Sequence, residues 1–167
     1  MCDIFDAIRR PHWTYYRDPS SSRLGDLVAF ASESIRIGLR GDCDDFAVLM
    51  AALIRAIGGA CRVALVYPET GAAHALAEVY AGDERNAYLI RDHIRKRYGT
   101  DYVYFDPGVP GTYWLTLDWG GTPPHYVDSF PGQIPIERLA TARKVLYVPI
   151  LSYTEAIRGV WPVPTTP

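Results

Sequence analysis

Gly41-Asp42-Cys43-Asp44-Asp45-Phe46-Ala47 decides the reading of this chain, because it sets one thiol where a helix begins. The apolar residues that follow, Phe46, Leu49, Met50, Leu53, Ile54 and Ile57, repeat at helical spacing. Gly58-Gly59 then supplies a stop. A cysteine in the first turn of a helix meets unpaired backbone N–H groups and the positive end of the helix dipole, and both favour thiolate over thiol. The competing reading is a small apolar core residue, the usual place of a free cysteine.

Two later segments bear on that choice. Gly71-Ala72-Ala73-His74-Ala75-Leu76-Ala77-Glu78-Val79-Tyr80 reads as a turn and a strand with a histidine near its start. Tyr113-Trp114-Leu115-Thr116-Leu117-Asp118-Trp119 reads as a strand with a carboxylate near its end. A lone histidine on an apolar strand is ordinarily structural, and a lone aspartate at a strand end is ordinarily a turn residue. In the order Cys43, His74, Asp118, with the cysteine opening a helix and the others on strands, they compose a nucleophile, a base and an orienting carboxylate.

With Leu53-Ile54-Arg55-Ala56-Ile57-Gly58 on the cysteine helix and Cys61-Arg62-Val63 after it, these segments resemble the transglutaminase-like superfamily, whose core is related to papain-type cysteine proteases. The resemblance covers roughly residues 13–120. It implies an α+β fold, with the nucleophile helix packed on an antiparallel sheet that carries His and Asp. It also implies catalytic roles for Cys43, His74 and Asp118. An aromatic strand followed by Asp-Pro is another form of the superfamily's acid, and Tyr104-Phe105-Asp106-Pro107 has that form. Asp118 is preferred because Trp114-Leu115-Thr116-Leu117-Asp118 is closer to the bacterial members. Asp106 moreover begins a Pro-Gly turn, which is a sufficient structural role. His93 and His125 are the alternative bases, and neither is expected on a strand beside the cysteine helix.

At 167 residues the chain is expected to be a single domain, with a core over about 13–150 and a proline-rich tail at 162–167. Hydrophobic content of 49% against 22% charge describes a packed globule. A net charge of −2 gives no electrostatic reason to expect nucleic acid. There is no run of apolar residues long enough for a membrane span, and residues 1–10 lack the apolar core of a signal peptide, so a cytoplasmic location is expected. Three cysteines, an odd number without regular spacing, argue against structural disulfides. Cys2 is read as part of a flexible end and Cys61 as a structural residue of an apolar strand.

The coarse expectation is helix over 3–9, an aromatic β-prone stretch at Trp13-Thr14-Tyr15-Tyr16, helix over Arg23–Ile37, and the Cys43 helix to about Ile57. Strands follow at Cys61–Tyr67 and His74–Tyr80. A helical insertion occupies 81–100, and Tyr102–Phe105 with Tyr113–Trp119 form a hairpin. A short helix over Ile136–Arg143 and a last strand over Val145–Ile150 complete the chain.

The oxyanion formed by thiolate attack needs preorganised donors. The Cys43 N–H is one. Since some members of the superfamily use an aromatic donor upstream of the cysteine, the second falls among Trp13, Tyr15 and Tyr16, which otherwise only pack. Asp42, Asp44 and Asp45 crowd the thiol with negative charge that opposes its ionisation. Either they cap the helix and pair with Arg40 or Arg62, or they hold a cation. The resemblance to calcium-dependent bacterial members names Asp42 and Asp44 as calcium ligands, although two carboxylates do not complete a calcium shell. No cofactor is otherwise required. Glu78 shares a strand face with His74 and is assigned to pairing with an arginine.

The function this reading supports is a cysteine-dependent hydrolase that cleaves amide bonds of protein or peptide substrates through a thioester. The alternatives are a transglutaminase-type acyltransferase that cross-links through lysine amines, and an inactive protein-interaction module. Substrate selection is expected at the 81–100 insertion and the proline-rich loop 121–135.

Overall fold

The computed structural model describes residues 1–9, 12–18, 28–69, 73–119, 130–133 and 142–149. In chain order the elements are α1 (Cys2–Ile8), β1 (Thr14–Tyr15), α2 (Ala31–Arg36), β2 (Arg40–Gly41), α3 (Cys43–Ala56), β3 (Cys61–Pro68), β4 (His74–Gly82), α4 (Glu84–Tyr98), β5 (Phe105–Pro107), β6 (Tyr113–Leu117) and β7 (Ala142–Pro149). Five strands form one sheet in the order β5-β6-β4-β3-β7, with every neighbouring pair antiparallel. This mixed α+β architecture, helices on a curled antiparallel sheet, is compatible with a transglutaminase-like fold.

Helix α3, which opens with Cys43, lies against the centre of that sheet. Its Phe46, Leu49, Met50, Ala51 and Ile54 are buried, and they meet Ala75, Ala77 and Ala81 of β4 within one cluster. Alternate alanines along the strand let the helix approach closely, so the large side chains of α3 fill the space. Strands β3 and β4 pair from Cys61 opposite Val79 to Val66 opposite His74, which delivers His74 to one end of the sheet. Strand β6 pairs Leu117 with Ala77, so Asp118 emerges at that same end.

The sheet curls until its outer strands touch. Arg62 on β3 donates to its cross-strand partner Glu78 at 2.5 Å and to Asp106 on β5 at 2.7 Å. The Tyr147 hydroxyl on β7 donates to the same Asp106 oxygen at 2.5 Å. The Arg62 guanidinium stacks between the Trp114 and Tyr147 rings, 4.2 and 3.7 Å from their centres. Burial pushes the Glu78 carboxyl up to about 7, and Asp106 adds to that shift while Arg62 opposes it. Asp106→Asn removes the charge that holds Arg62 and Tyr147 together. It is expected to lower stability by about 1–3 kcal/mol in urea unfolding. An unchanged midpoint would show that closure of the sheet does not depend on this bridge.

Several elements differ from their sequence expectations. The helix expected over Arg23–Ile37 is described only as Ala31–Arg36; residues 19–27 lie outside the described residues. Phe30 has extended backbone, and the Ala29 N–H is taken by the Asp45 carboxylate at 2.7 Å, so a tertiary contact holds residues 28–30 out of the helix. Ala142 and Arg143, expected in a helix, belong to strand β7 because β3 pairs with them there, Pro68 opposite Ala142. The rest of that expected helix, the tail at 162–167 and most of the 121–135 loop fall outside the described residues. Cys2 is buried at the start of α1 rather than in a flexible end, because α1 packs its Cys2, Phe5 and Ile8 into the main core. Among the described residues no helix is long and apolar enough to cross a membrane.

Candidate active site

Cys43 is the first helical residue of α3. Its position is fixed from both sides. Upstream, β1 and β2 pair in parallel, Tyr15 opposite Gly41, and the Tyr16 N–H donates to the Gly41 carbonyl at 2.8 Å. Downstream, Asp45 reaches back, and its Oδ2 accepts the Asp42 N–H at 3.3 Å as one arm of a capping box. Gly41 has no room for a side chain, since a Cβ there would collide with the Asp45 carboxylate.

His74 and Asp118 meet where the sheet ends: His74 Nε2 lies 2.8 Å from Asp118 Oδ2. Both are buried, 6% and 2% exposed, so their interaction is little screened by water. The second carboxylate oxygen, Oδ1, accepts the Trp119 N–H at 2.8 Å, which fixes the plane of the group. The Cys43 side chain lies near enough to His74 to raise the proton affinity of the imidazole. With Nε2 turned to Asp118, Nδ1 is the ring nitrogen left for the sulfur. Burial opposes a charge on the imidazole, but the Asp118 charge and hydrogen bond, with those of Cys43, outweigh it and push His74 up to about 9.

Cys43, His74 and Asp118 are thus brought together from α3, β4 and the residue after β6. Asp106 is not at this site: its Oδ2 is occupied by Arg62 and Tyr147. His93 is exposed on α4, and His125 lies outside the described residues. The other two cysteines are buried, and burial drives the Cys61 thiol up to about 12 and raises that of Cys2.

The three upstream aromatics take different positions. Trp13 is buried with its ring edge toward Phe46, and its Nε1 has no hydrogen-bond partner among the described residues. Tyr15 stacks on Trp119 at 5.0 Å, beside Asp118. Tyr16 is exposed, with the Arg40 guanidinium 5.6 Å from its ring centre.

The acidic flank does not pair as the sequence suggests. Arg62 is engaged by Glu78 and Asp106, and Arg40 rests on Tyr16. Asp42 and Asp44 instead interact with each other. Burial, then the hydrogen bond and charge of Asp42, push the Asp44 carboxyl up to about 8. Asp44 therefore holds its proton to a higher pH than an ordinary aspartate. That proton removes one negative charge from beside the thiol. Asp42, Cys43 and Asp44 are the group, among the described residues, that offers three metal-ligand atoms within 4.8 Å of one another. Two carboxylates and a sulfur do not fit calcium, which takes six to eight oxygen ligands, so no step is assigned to a metal.

Asp45, one of the carboxylates expected to cap the helix, does so by holding the Asp42 N–H, and it also takes the Ala29 N–H. One contributor escaped the sequence reading. Trp119 supplies the N–H that orients Asp118 and the ring on which Tyr15 stacks, and nothing in the sequence marks it.

The family model for the transglutaminase-like superfamily matches residues 4–118. No curated protein matches the chain. No solved structure matches it either. The superfamily is one of cysteine-based hydrolases and acyltransferases. The matched span runs from α1 through the cysteine helix and the histidine strand to Asp118 itself, and the chain therefore belongs to the transglutaminase-like superfamily.

Proposed function

We propose that the chain is a cysteine-dependent amide hydrolase in which Cys43 is the nucleophile, His74 the acid–base group and Asp118 its orienter. The observation that carries this reading is the buried 2.8 Å contact between His74 and Asp118 with the Cys43 side chain on the same imidazole. In the resting site the thiol proton is held on His74 Nδ1, which keeps the imidazole charged beside the sulfur, and the sulfur attacks the amide carbonyl carbon. The oxyanion is met by the Cys43 N–H at the start of α3. The second donor is drawn from Trp13, Tyr15 and Tyr16, of which Trp13 has a buried Nε1 without a hydrogen-bond partner among the described residues. Collapse breaks the C–N bond, and the leaving amine takes the proton from Nδ1. Water then attacks the thioester, His74 receives its proton and returns it to the sulfur, and the carboxylic acid departs.

Hydrolysis and amine transfer share the same thioester, and which acceptor reaches it, water or a primary amine, decides between them. The test is incubation with a protein or peptide library. New amino termini, or glutamine converted to glutamate, are expected and must vanish in Cys43→Ala. A labelled primary amine in the same reaction reads the competing acyl transfer. Amine product in excess of hydrolysis at millimolar amine would overturn the preference. Thiol labelling separates an enzyme from an inactive interaction module. Cys43 should alkylate near pH 6 well before Cys2 and Cys61, whose thiols burial holds protonated. Equal and slow labelling of all three would favour the module.

A further inference from the structure

The helix α4 carries five basic and two acidic side chains, whereas the rest of the chain has twelve basic and seventeen acidic ones. Its inner face, with Ala87 and Ile94, is buried. Part of the charge is already neutralised: Arg97 pairs with Asp3 and Asp6, and Lys96 with Asp92. Arg85, Arg91 and Arg95 form no ion pair within contact distance among the described residues, although Arg95 also acts on the nearby Asp92 carboxylate, and all three are exposed. They surround two large apolar residues that also face outward, Tyr88 at 60% and Leu89 at 58% exposure. The Arg91 guanidinium sits 5.0 Å from the centre of the Tyr88 ring, so part of this surface is ordered in advance of any contact. Arg85 to Arg95 spans about 15 Å of helix.

We propose that this outer face of α4 docks an acidic polypeptide that also carries apolar side chains, with its carboxylates on Arg85, Arg91 and Arg95 and an apolar residue against Tyr88 and Leu89. Charge complementarity selects the acid component, and the exposed Tyr–Leu pair, which gains only by losing water, selects the apolar one. Nucleic acid fits less well, because a phosphate backbone extending past the helix meets a remainder that is net acidic. A membrane fits less well because two apolar side chains interrupted by an Asp92–Lys96 pair offer little to insert. The inference deepens the proposed function by naming the class of polypeptide held. It rests on that reading only for the docked chain being substrate.

Binding can be read without turnover, so a failure here leaves the chemistry of Cys43 standing. The full chain bearing Cys43→Ala is titrated by fluorescence anisotropy with three probes: a dye-labelled peptide of Glu and Asp with two Leu, duplex DNA, and vesicles of anionic lipid. The peptide is expected to bind best, and to weaken with added salt. Combined Arg85→Gln, Arg91→Gln and Arg95→Gln should weaken it by about tenfold or more. Tyr88→Ala with Leu89→Ala should weaken the Leu-containing peptide and leave an all-Glu peptide unchanged. All five positions are exposed, so folding is retained and peptide affinities can be compared directly. Equal affinity of parent and triple-Arg variant for the peptide would overturn the proposal, as would tighter binding of the duplex or the vesicles.

Discussion

Asp118→Asn is expected to lower turnover by as much as about 10⁴-fold, the scale of an orienting carboxylate in such triads. The reason lies in the two donors that Asp118 serves. Oδ1 accepts the Trp119 N–H and Oδ2 faces His74 Nε2, both at 2.8 Å. An asparagine has one acceptor oxygen. If that oxygen stays on Trp119, the amide N–H₂ faces His74, Nε2 becomes the acceptor, and the ring proton moves to Nδ1, the atom needed to take the thiol proton. If the oxygen turns to His74, two N–H donors confront each other in a buried site. Either arrangement disables the base with little change in volume. Asp106→Asn is expected to act on stability instead, through Arg62 and Tyr147. Turnover measured beside unfolding midpoints checks both. The opposite ranking would move the orienting role to Asp106.

His74→Ala is expected to abolish alkylation of Cys43 near pH 6 while leaving the circular dichroism spectrum unchanged, because the activating group is then absent. The parent's pH profile should also have a limb that the variant lacks. His74 is raised from its ordinary value near 6.5 to about 9, so its positive charge persists through neutral pH and is lost as pH rises past about 9. The sign for stability follows. The attraction between the charged imidazole and Asp118 is fully present below about 6.5 and disappears as pH rises through about 9. The stability deficit of His74→Ala should therefore be larger at pH 6 than at pH 10. Chemical unfolding at the two pH values, beside rates of iodoacetamide labelling, tests this. Equal labelling of parent and variant at pH 6 would show that His74 does not activate the thiol.

Much of this arrangement was legible because it depends on local chemistry. Helical spacing from Phe46 to Ile54 and the Gly58-Gly59 stop delimit α3, which is observed as Cys43–Ala56. Alternation and turn residues mark β3 and β4, and the 81–100 insertion appears as the amphipathic helix α4. The elements that were misplaced are those whose backbone bonds are made at long range. Residues 28–30 leave the helical pattern because Asp45 takes the Ala29 N–H, and Ala142-Arg143 join a strand because β3 lies beside them. Cys2 is buried by packing that no local pattern announces.

By itself the sequence determined the helix opening at Cys43, the strand carrying His74, the strand ending at Asp118 and the acidic setting of Cys43, since each follows from periodicity, capping and turn chemistry within a few residues. Tertiary structure alone decided which carboxylate serves the histidine and what the charges do. In the sequence Asp106 and Asp118 each follow an aromatic segment, and only the curl and register of the sheet set Asp106 within β5 beside Arg62 and send Asp118 to His74. Arg62, which the sequence offered to the acidic flank, is committed across strands to Glu78 and Asp106. This leaves Asp42 and Asp44 beside each other, with burial and Asp42 raising the Asp44 carboxyl. Electrostatic partners are set by distances of a few ångströms between residues far apart in the chain, and those distances exist only once the sheet has closed.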